Sequence, residues 1–186
     1  MDCYGPAYGS DRSAPHHAQG EDNARGLSCR LKGLEFAAVF SSPLQRAVRT
    51  CELAGFGPVA AVDRDLVEWD YGAFEGLTSA EIRVERPDWQ LFRDGCPSGE
   101  SPAQVATRAD AVVRRIRAIN RSVLLFSSGH FSRVLAARWI GLEPSVISVS
   151  LVLSTASVSV LGYERDLSRP AIRLWNDTLH VVTERK

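Results

Sequence analysis

Two short runs in this 186-residue chain place serines just before an arginine: Ser41-Ser42-Pro43 with Arg46, and Ser127-Ser128-Gly129-His130 with Arg133. Each follows an apolar stretch and opens what reads as a helix. A helix N-terminus carries unbonded N–H groups and the positive end of the dipole, so it suits an anion. Arg46 and Arg133 would add planar, forked donors of the kind that hold phosphate. Between these runs lies Glu68, in the acidic, aromatic segment Glu68-Trp69-Asp70-Tyr71, a candidate acid in partly dry surroundings. Two arginines, a histidine and a carboxylate around an anion site point to phosphoryl transfer. Plainer readings stand beside each: Arg46 paired with Glu52 on a helix surface, Glu68 bridged to Arg64, His130 as a structural residue.

The elements that must position these groups are legible in outline. Ala24, Leu27 and Leu31 repeat at helical spacing and predict a helix ending near Gly33. Phe36 to Phe40 is a short buried strand that stops at Ser41-Ser42-Pro43, and a second helix follows through Leu53. Val59 to Val62 reads as a further strand and Ser79 to Arg86 as a helix. Pro87, Gly95, Pro97 and Gly99 then punctuate a loop. Ser101 opens a long helix whose apolar stripe is Val105, Ala109, Val112, Val113 and Ile116. Ser122 to Phe126 is the clearest buried strand, leading to His130 and a helix up to Gly141. Val158 to Tyr163 and Ala171 to Trp175 are expected to finish the sheet. Strand, loop and helix alternate with room for crossovers, so the expected class is α/β, a largely parallel sheet flanked by helices. Ligands in such folds bind beyond the carboxyl ends of the strands, where both serine runs fall.

Lys and Arg number 22, as do Asp and Glu, so no net charge draws the chain toward nucleic acid or an anionic membrane. The charge-free stretch Pro144 to Tyr163 is rich in serine, and Ser157 to Val160 alternates like a half-buried strand, so a membrane span is not expected. Cys3, Cys29, Cys51 and Cys96 lie far apart and make no metal-ligand spacing. The opening MDCYGPAYGS has neither the basic start nor the apolar run of a secretory signal. A cytoplasmic protein with reduced, inert thiols and no metal is the expectation. Residues 1–19 offer turn formers without an apolar run, and they are expected to be irregular ahead of one domain over residues 20–186.

On its motifs the chain resembles the histidine phosphatase, or phosphoglycerate-mutase-like, superfamily. The matching stretches are Gly20 to Ala24, Ser41-Ser42-Pro43-Leu44-Gln45-Arg46-Ala47, Glu68-Trp69-Asp70-Tyr71-Gly72 with Glu75-Gly76, Cys96 to Ser101, and Ser128-Gly129-His130 with Arg133. The Glu-Trp-Asp-Tyr-Gly and Gly-Glu-Ser stretches look most like the branch that dephosphorylates sugar phosphates. The resemblance implies a metal-independent phosphomonoester hydrolase working through a phosphohistidine, with phosphoglycerate-mutase-type transfer as the runner-up. It implies a small phosphorylated substrate or inorganic phosphate as partner, and no cofactor. Arg46 matches a phosphate-binding arginine and His130 the second catalytic histidine, which stabilises the phosphoryl in transit. Glu68 matches the acid that protonates the leaving oxygen and then activates water. Ser42, Ser128, Arg133 and Tyr71 fall where phosphate or sugar would be bound.

The family's nucleophilic histidine sits in an Arg-His-Gly motif at the end of a first strand, and no Arg-His-Gly occurs in this sequence. The strand that would carry it is missing, and its expected place is between the strands ending at Ser41 and Ser127. His16 and His17 lack the flanking arginine and glycine, and they read as loop residues. An inactive relative that binds a phosphorylated ligand or a protein partner, and a product truncated or frameshifted upstream of about residue 11, are the alternatives.

Overall fold

A computed structural model describes residues 18–181. Its strands are β1 (Ala38–Ser41), β2 (Ala60–Val62), β3 (Val123–Phe126), β4 (Val158–Tyr163) and β5 (Pro170–Asp177). Its helices are α1 (Ala18–Arg30), α2 (Gln45–Leu53), α3 (Ser79–Glu85), α4 (Leu91–Asp94), α5 (Pro102–Ile119), α6 (Gly129–Trp139) and α7 (Pro144–Ile147), with short 3-10 turns between them. β2, β1 and β3 form a parallel sheet in that order, with Val39 opposite Ala60 on one side and Leu124 on the other.

Strand alternation splits the core in two. Val39, Leu124 and Phe126 turn to α1 and α2, where they meet Leu27, Leu31, Ala47 and Cys51. Phe40 and Leu125 turn the other way, onto the larger core of α5 and α6. There Val105, Ala109, Val112 and Val113 form the expected buried stripe of α5, against Phe131, Val134 and Leu135 of α6. The α5 start is fixed by a capping box, Ser101 with Gln104, and by Pro102 in the first turn. The result is a parallel sheet between two helical layers, the expected α/β class.

Four expectations need correction. The strands ending at Ser41 and Ser127 are hydrogen-bonded to each other, so no strand lies between them. The edge of β3 away from β1 is, like the outer edge of β2, one that no described strand pairs with. β4 and β5 do not finish the parallel sheet: they form a separate antiparallel pair. Their short connection is long enough for a hairpin and too short for the crossover that parallel pairing demands. The pair is held against α6 by Trp139, whose Nε1 donates to the Gly162 carbonyl (2.9 Å) and whose ring leans on Tyr163. Ala18 and Gln19 already belong to α1, inside the segment expected to be irregular, while His16 and His17 lie outside the described residues. The punctuated loop before α5 contains the four-residue helix α4, which the spacing of Pro87 and Gly95 concealed.

Two glycines explain why the Glu-Trp-Asp-Tyr-Gly and Gly-Glu-Ser motifs occur together. Their loops touch through backbone: Glu100 N–H donates to the Asp70 carbonyl (2.9 Å), and Ala73 N–H to the Pro97 carbonyl (2.8 Å). A Cβ on Gly99 would stand 2.3 Å from the Asp70 carbonyl oxygen and 2.7 Å from Gly72 N. Backbone on both sides cannot retreat. Gly99→Ala should therefore lower the free energy of unfolding by about 2–3 kcal/mol in urea titrations. At Gly129 the same methyl meets nothing within 4 Å, so Gly129→Ala should stay within about 0.5 kcal/mol of wild type.

Candidate active site

All the candidate groups lie at or just beyond the carboxyl ends of β1, β2 and β3. Ser42 follows β1 and is fully buried, its Oγ accepting the Leu44 N–H (3.3 Å) to shape the turn into α2. That turn delivers Arg46 one residue into α2. Its guanidinium crosses to the turn between β3 and α6, where Nη2 donates to Ser128 Oγ (3.0 Å). The reading of Arg46 as Glu52's partner does not hold; Arg49 takes Glu52 and also Glu21.

Ser128 is the N-cap residue of α6, yet its hydroxyl makes no cap hydrogen bond. The capping is done by Glu68. Its Oε1 accepts Phe131 N–H (2.9 Å) and Trp69 N–H (3.0 Å), and its Oε2 accepts His130 N–H (3.3 Å). The amide donors of His130 and Phe131, expected to await an external anion, thus already hold a carboxylate of the chain itself. Negative charge at this end of a helix is favoured by the dipole as well as by the hydrogen bonds. Glu68 is bonded to α6 and makes no bridge to Arg64.

His130 follows in the first turn of α6. Its Nδ1 is 2.6 Å from the Tyr71 hydroxyl, and its ring meets the edges of Tyr71 and Phe92 (centroids 5.8 and 5.6 Å). Burial among these rings pushes the imidazole below its ordinary range; the Arg133 charge adds to this, and the Glu68 carboxylate opposes it. Arg133 Nε and Nη2 donate to the carbonyls of Ser148 (2.7 Å) and Val149 (3.0 Å), and its guanidinium stacks over Phe92 at 4.6 Å. So the fold gathers Arg46, Ser128, His130, Tyr71 and Glu68, while Ser42 shapes a turn and Arg133 ties α6 to the segment after α7.

Sequence reading missed the residue that holds this loop in place. Arg108, on α5, grips both oxygens of Glu100 (3.0 and 2.7 Å), and its Nη1 donates to the carbonyls of Asp65 (2.9 Å) and Val67 (2.7 Å). The same guanidinium lies 4.4 Å over the Phe131 ring. Glu100 in turn accepts the Asp70 N–H (2.9 Å) on its side chain and Trp69 Nε1 (2.9 Å) on its carbonyl. Spacing alone disguised Arg108 as one more arginine on an arginine-rich helix; its place two residues after Ala106, on the buried stripe's flank, was the available signal.

A cavity of about 350 Å³ opens here, lined by Arg46, Glu68, Asp70, Tyr71, Glu75 and Arg108 among others, a size that suits a small metabolite. A second hollow of similar size, beside Cys51 and Val62, has no comparable set of charged groups. The neighbouring thiols are poor nucleophiles: burial pushes Cys51 up to about 11 and Cys96 up to about 12. His180 is half-buried, with Nε2 bonded to the Ala156 carbonyl (2.7 Å). Among the described residues no cluster of three His, Cys, Asp or Glu side chains could hold a metal ion, and no helix is long and apolar enough to cross a membrane.

Two outcomes follow from this geometry. Arg108→Met removes one partner of a largely buried ion pair and leaves Glu100 and two carbonyls unmatched; unfolding free energy should fall by about 2–4 kcal/mol in urea. His130 is harder to protonate folded than unfolded, so the unfolded chain binds more protons as pH falls below the ordinary 6.5. Stability that His130 contributes at neutral pH must then be lost toward lower pH. The stability gap between wild type and His130→Asn, followed by denaturation from pH 7.5 down to 5, should shift against wild type.

Against known proteins, the histidine phosphatase superfamily (branch 1) model matches residues 8–178. An acid phosphatase of Mycobacterium tuberculosis is 41% identical over 141 residues, 75% of this chain and 68% of that protein. Sedoheptulose 1,7-bisphosphatase of Saccharomyces cerevisiae is 34% identical over 131 residues, 56% of this chain, and the match spans only 48% of the yeast protein. A solved open-reading-frame product of Mycobacterium tuberculosis superimposes with a TM-score of 0.84 at 35% identity, covering 92% of this chain and 89% of that one. A mycobacterial glucosyl-3-phosphoglycerate phosphatase superimposes at 0.74 with 26% identity, over 94% and 93% of the two chains. With the family model matching nearly its whole length, this chain belongs to the histidine phosphatase superfamily, branch 1.

Proposed function

We propose that this chain carries a phosphomonoester hydrolase site of the histidine phosphatase type, for a small, hydroxyl-rich phosphate such as a sugar phosphate. One observation carries the reading: Arg46, Ser128, His130 and Glu68, drawn from three separate parts of the chain, are joined at the ends of β1 and β3, and Arg46 and Glu68 share the wall of one cavity. The relatives named for acid phosphatase, sugar bisphosphatase and phosphoglycerate-ester phosphatase activities support the substrate class.

In this reading Arg46 supplies the forked cation for two phosphoryl oxygens, and Ser128 Oγ, already its partner, stands at the same place. His130 adds a donor to the oxygens that gain charge in transit. Glu68 gives a proton to the leaving oxygen and takes one from the attacking water. The phosphoryl acceptor is the open step. A second reading, ligand binding without turnover, is favoured by one fact: the 186 residues contain no Arg-His-Gly.

Hydrolysis of p-nitrophenyl phosphate from pH 4 to 8 with EDTA present, beside calorimetric binding of inorganic phosphate, separates the two. Hydrolysis that falls about 100-fold or more in His130→Ala supports the hydrolase. Phosphate binding without hydrolysis, weakened about 10-fold or more in Arg46→Ala, supports the binding protein. Hydrolysis indifferent to both substitutions, or no phosphate binding by folded wild type, removes this cavity as a phosphate site.

A further inference from the structure

The Tyr71–His130 contact determines which nitrogen of His130 carries the proton. Tyr71 lines the cavity and is 3% exposed, so its side chain is almost wholly packed in the protein. It stands 2.6 Å from Nδ1, with the two rings edge to face at 83°. Phe92 closes the other side of the imidazole, and the His130 backbone N–H is anchored on Glu68, so the ring has little freedom to flip away. A neutral imidazole has one donor and one acceptor nitrogen, whereas a phenol can do either. Phenol is the better acid of the two and a bare imidazole nitrogen the better base, so the stronger pairing is O–H donating to Nδ1. The bond made by one ring nitrogen sets the state of the other.

Resting on the phosphate site proposed above, we infer that Tyr71 is a positioning residue: its hydroxyl donates to Nδ1 and keeps His130 in the Nε2–H tautomer. The imidazole then offers a phosphoryl oxygen a neutral N–H, and it has no bare Nε2 with which to accept the phosphoryl itself. The charged groups around the ring leave the neutral form in place: Arg133 on α6 disfavours a second proton, Glu68 from the loop after β2 favours it, and burial outweighs Glu68. This removes His130 as a substitute for the absent Arg-His-Gly histidine. It also moves Tyr71 from substrate contact to holder of the histidine.

Full-length protein labelled with ¹⁵N at histidine gives the test, by long-range ¹H–¹⁵N correlation at pH 7.5, with His130→Asn identifying the His130 signals. Expected in wild type is Nδ1 in the range of a bare acceptor nitrogen and Nε2 in that of an N–H nitrogen. In Tyr71→Phe the two shifts should move toward each other as the tautomers mix, and inorganic phosphate should bind about 3–10-fold more weakly. A proton on Nδ1 in wild type overturns the inference. So does a Tyr71→Phe protein that binds phosphate less well with unchanged nitrogen shifts, since Tyr71 is then merely structural. If Tyr71→Phe does not fold, the wild-type shifts still decide the tautomer. Wild type that shows the Nε2–H pattern but binds no phosphate would retain Tyr71's role and reject the phosphate site alone.

Discussion

The carboxylate of Glu68 at the amino end of α6 is the contact on which the site depends. Helix amides at this position must find acceptors, and Ser128, the N-cap residue, gives its hydroxyl to Arg46 instead. Glu68 fills the role from a loop some sixty residues earlier in the chain. One side chain thereby closes the helix end, docks the loop after β2 onto α6 and fixes the backbone from which His130 projects. Ser127 reinforces the same junction, its Oγ donating to the Leu66 carbonyl (2.7 Å). The carboxylate proposed as the acid and the structural cap are then one group, and neither use can be altered without the other.

A carboxylate so placed needs a loop that does not move, and α5 supplies it. Arg108 satisfies carbonyls on both sides of Leu66 while gripping Glu100, and Glu100 holds Trp69 and Asp70. These are bonds to backbone as well as to side chains, so they fix the path of the loop and not only its charge. A planar guanidinium with several fixed donors can serve all of these acceptors at once; a lysine could not. The Gly99 contact with Asp70 completes the clamp by letting the two loops meet without a side chain between them.

How much of this was legible in the sequence depended on the range of the interaction. The stripe of α5, the strands ending at Ser41 and Phe126, and the turn after Ser42 follow from local periodicity and turn chemistry, and all stand. Arg46 and His130 were found because serine, proline and glycine mark their loops. Arg108 was not, since its place on the flank of the buried stripe was the only local signal and its partners lie on two other loops. Sheet order failed for a related reason: Phe36 to Phe40 and Ser122 to Phe126 announce strands, but no pattern within either says which is its neighbour. The anion role of the α6 terminus failed because the competing carboxylate arrives from a distance.

That competition shapes the electrostatics of the cavity. If the amides of α6 were open, a phosphate could rest on backbone donors and the helix dipole. With Glu68 there, the nearest negative charge is the protein's own, and Asp70, Glu75 and Glu100 add three more carboxylates to the same wall. With Arg108 spent on Glu100, a phosphoryl group in the proposed site would be held by side-chain donors, Arg46 first.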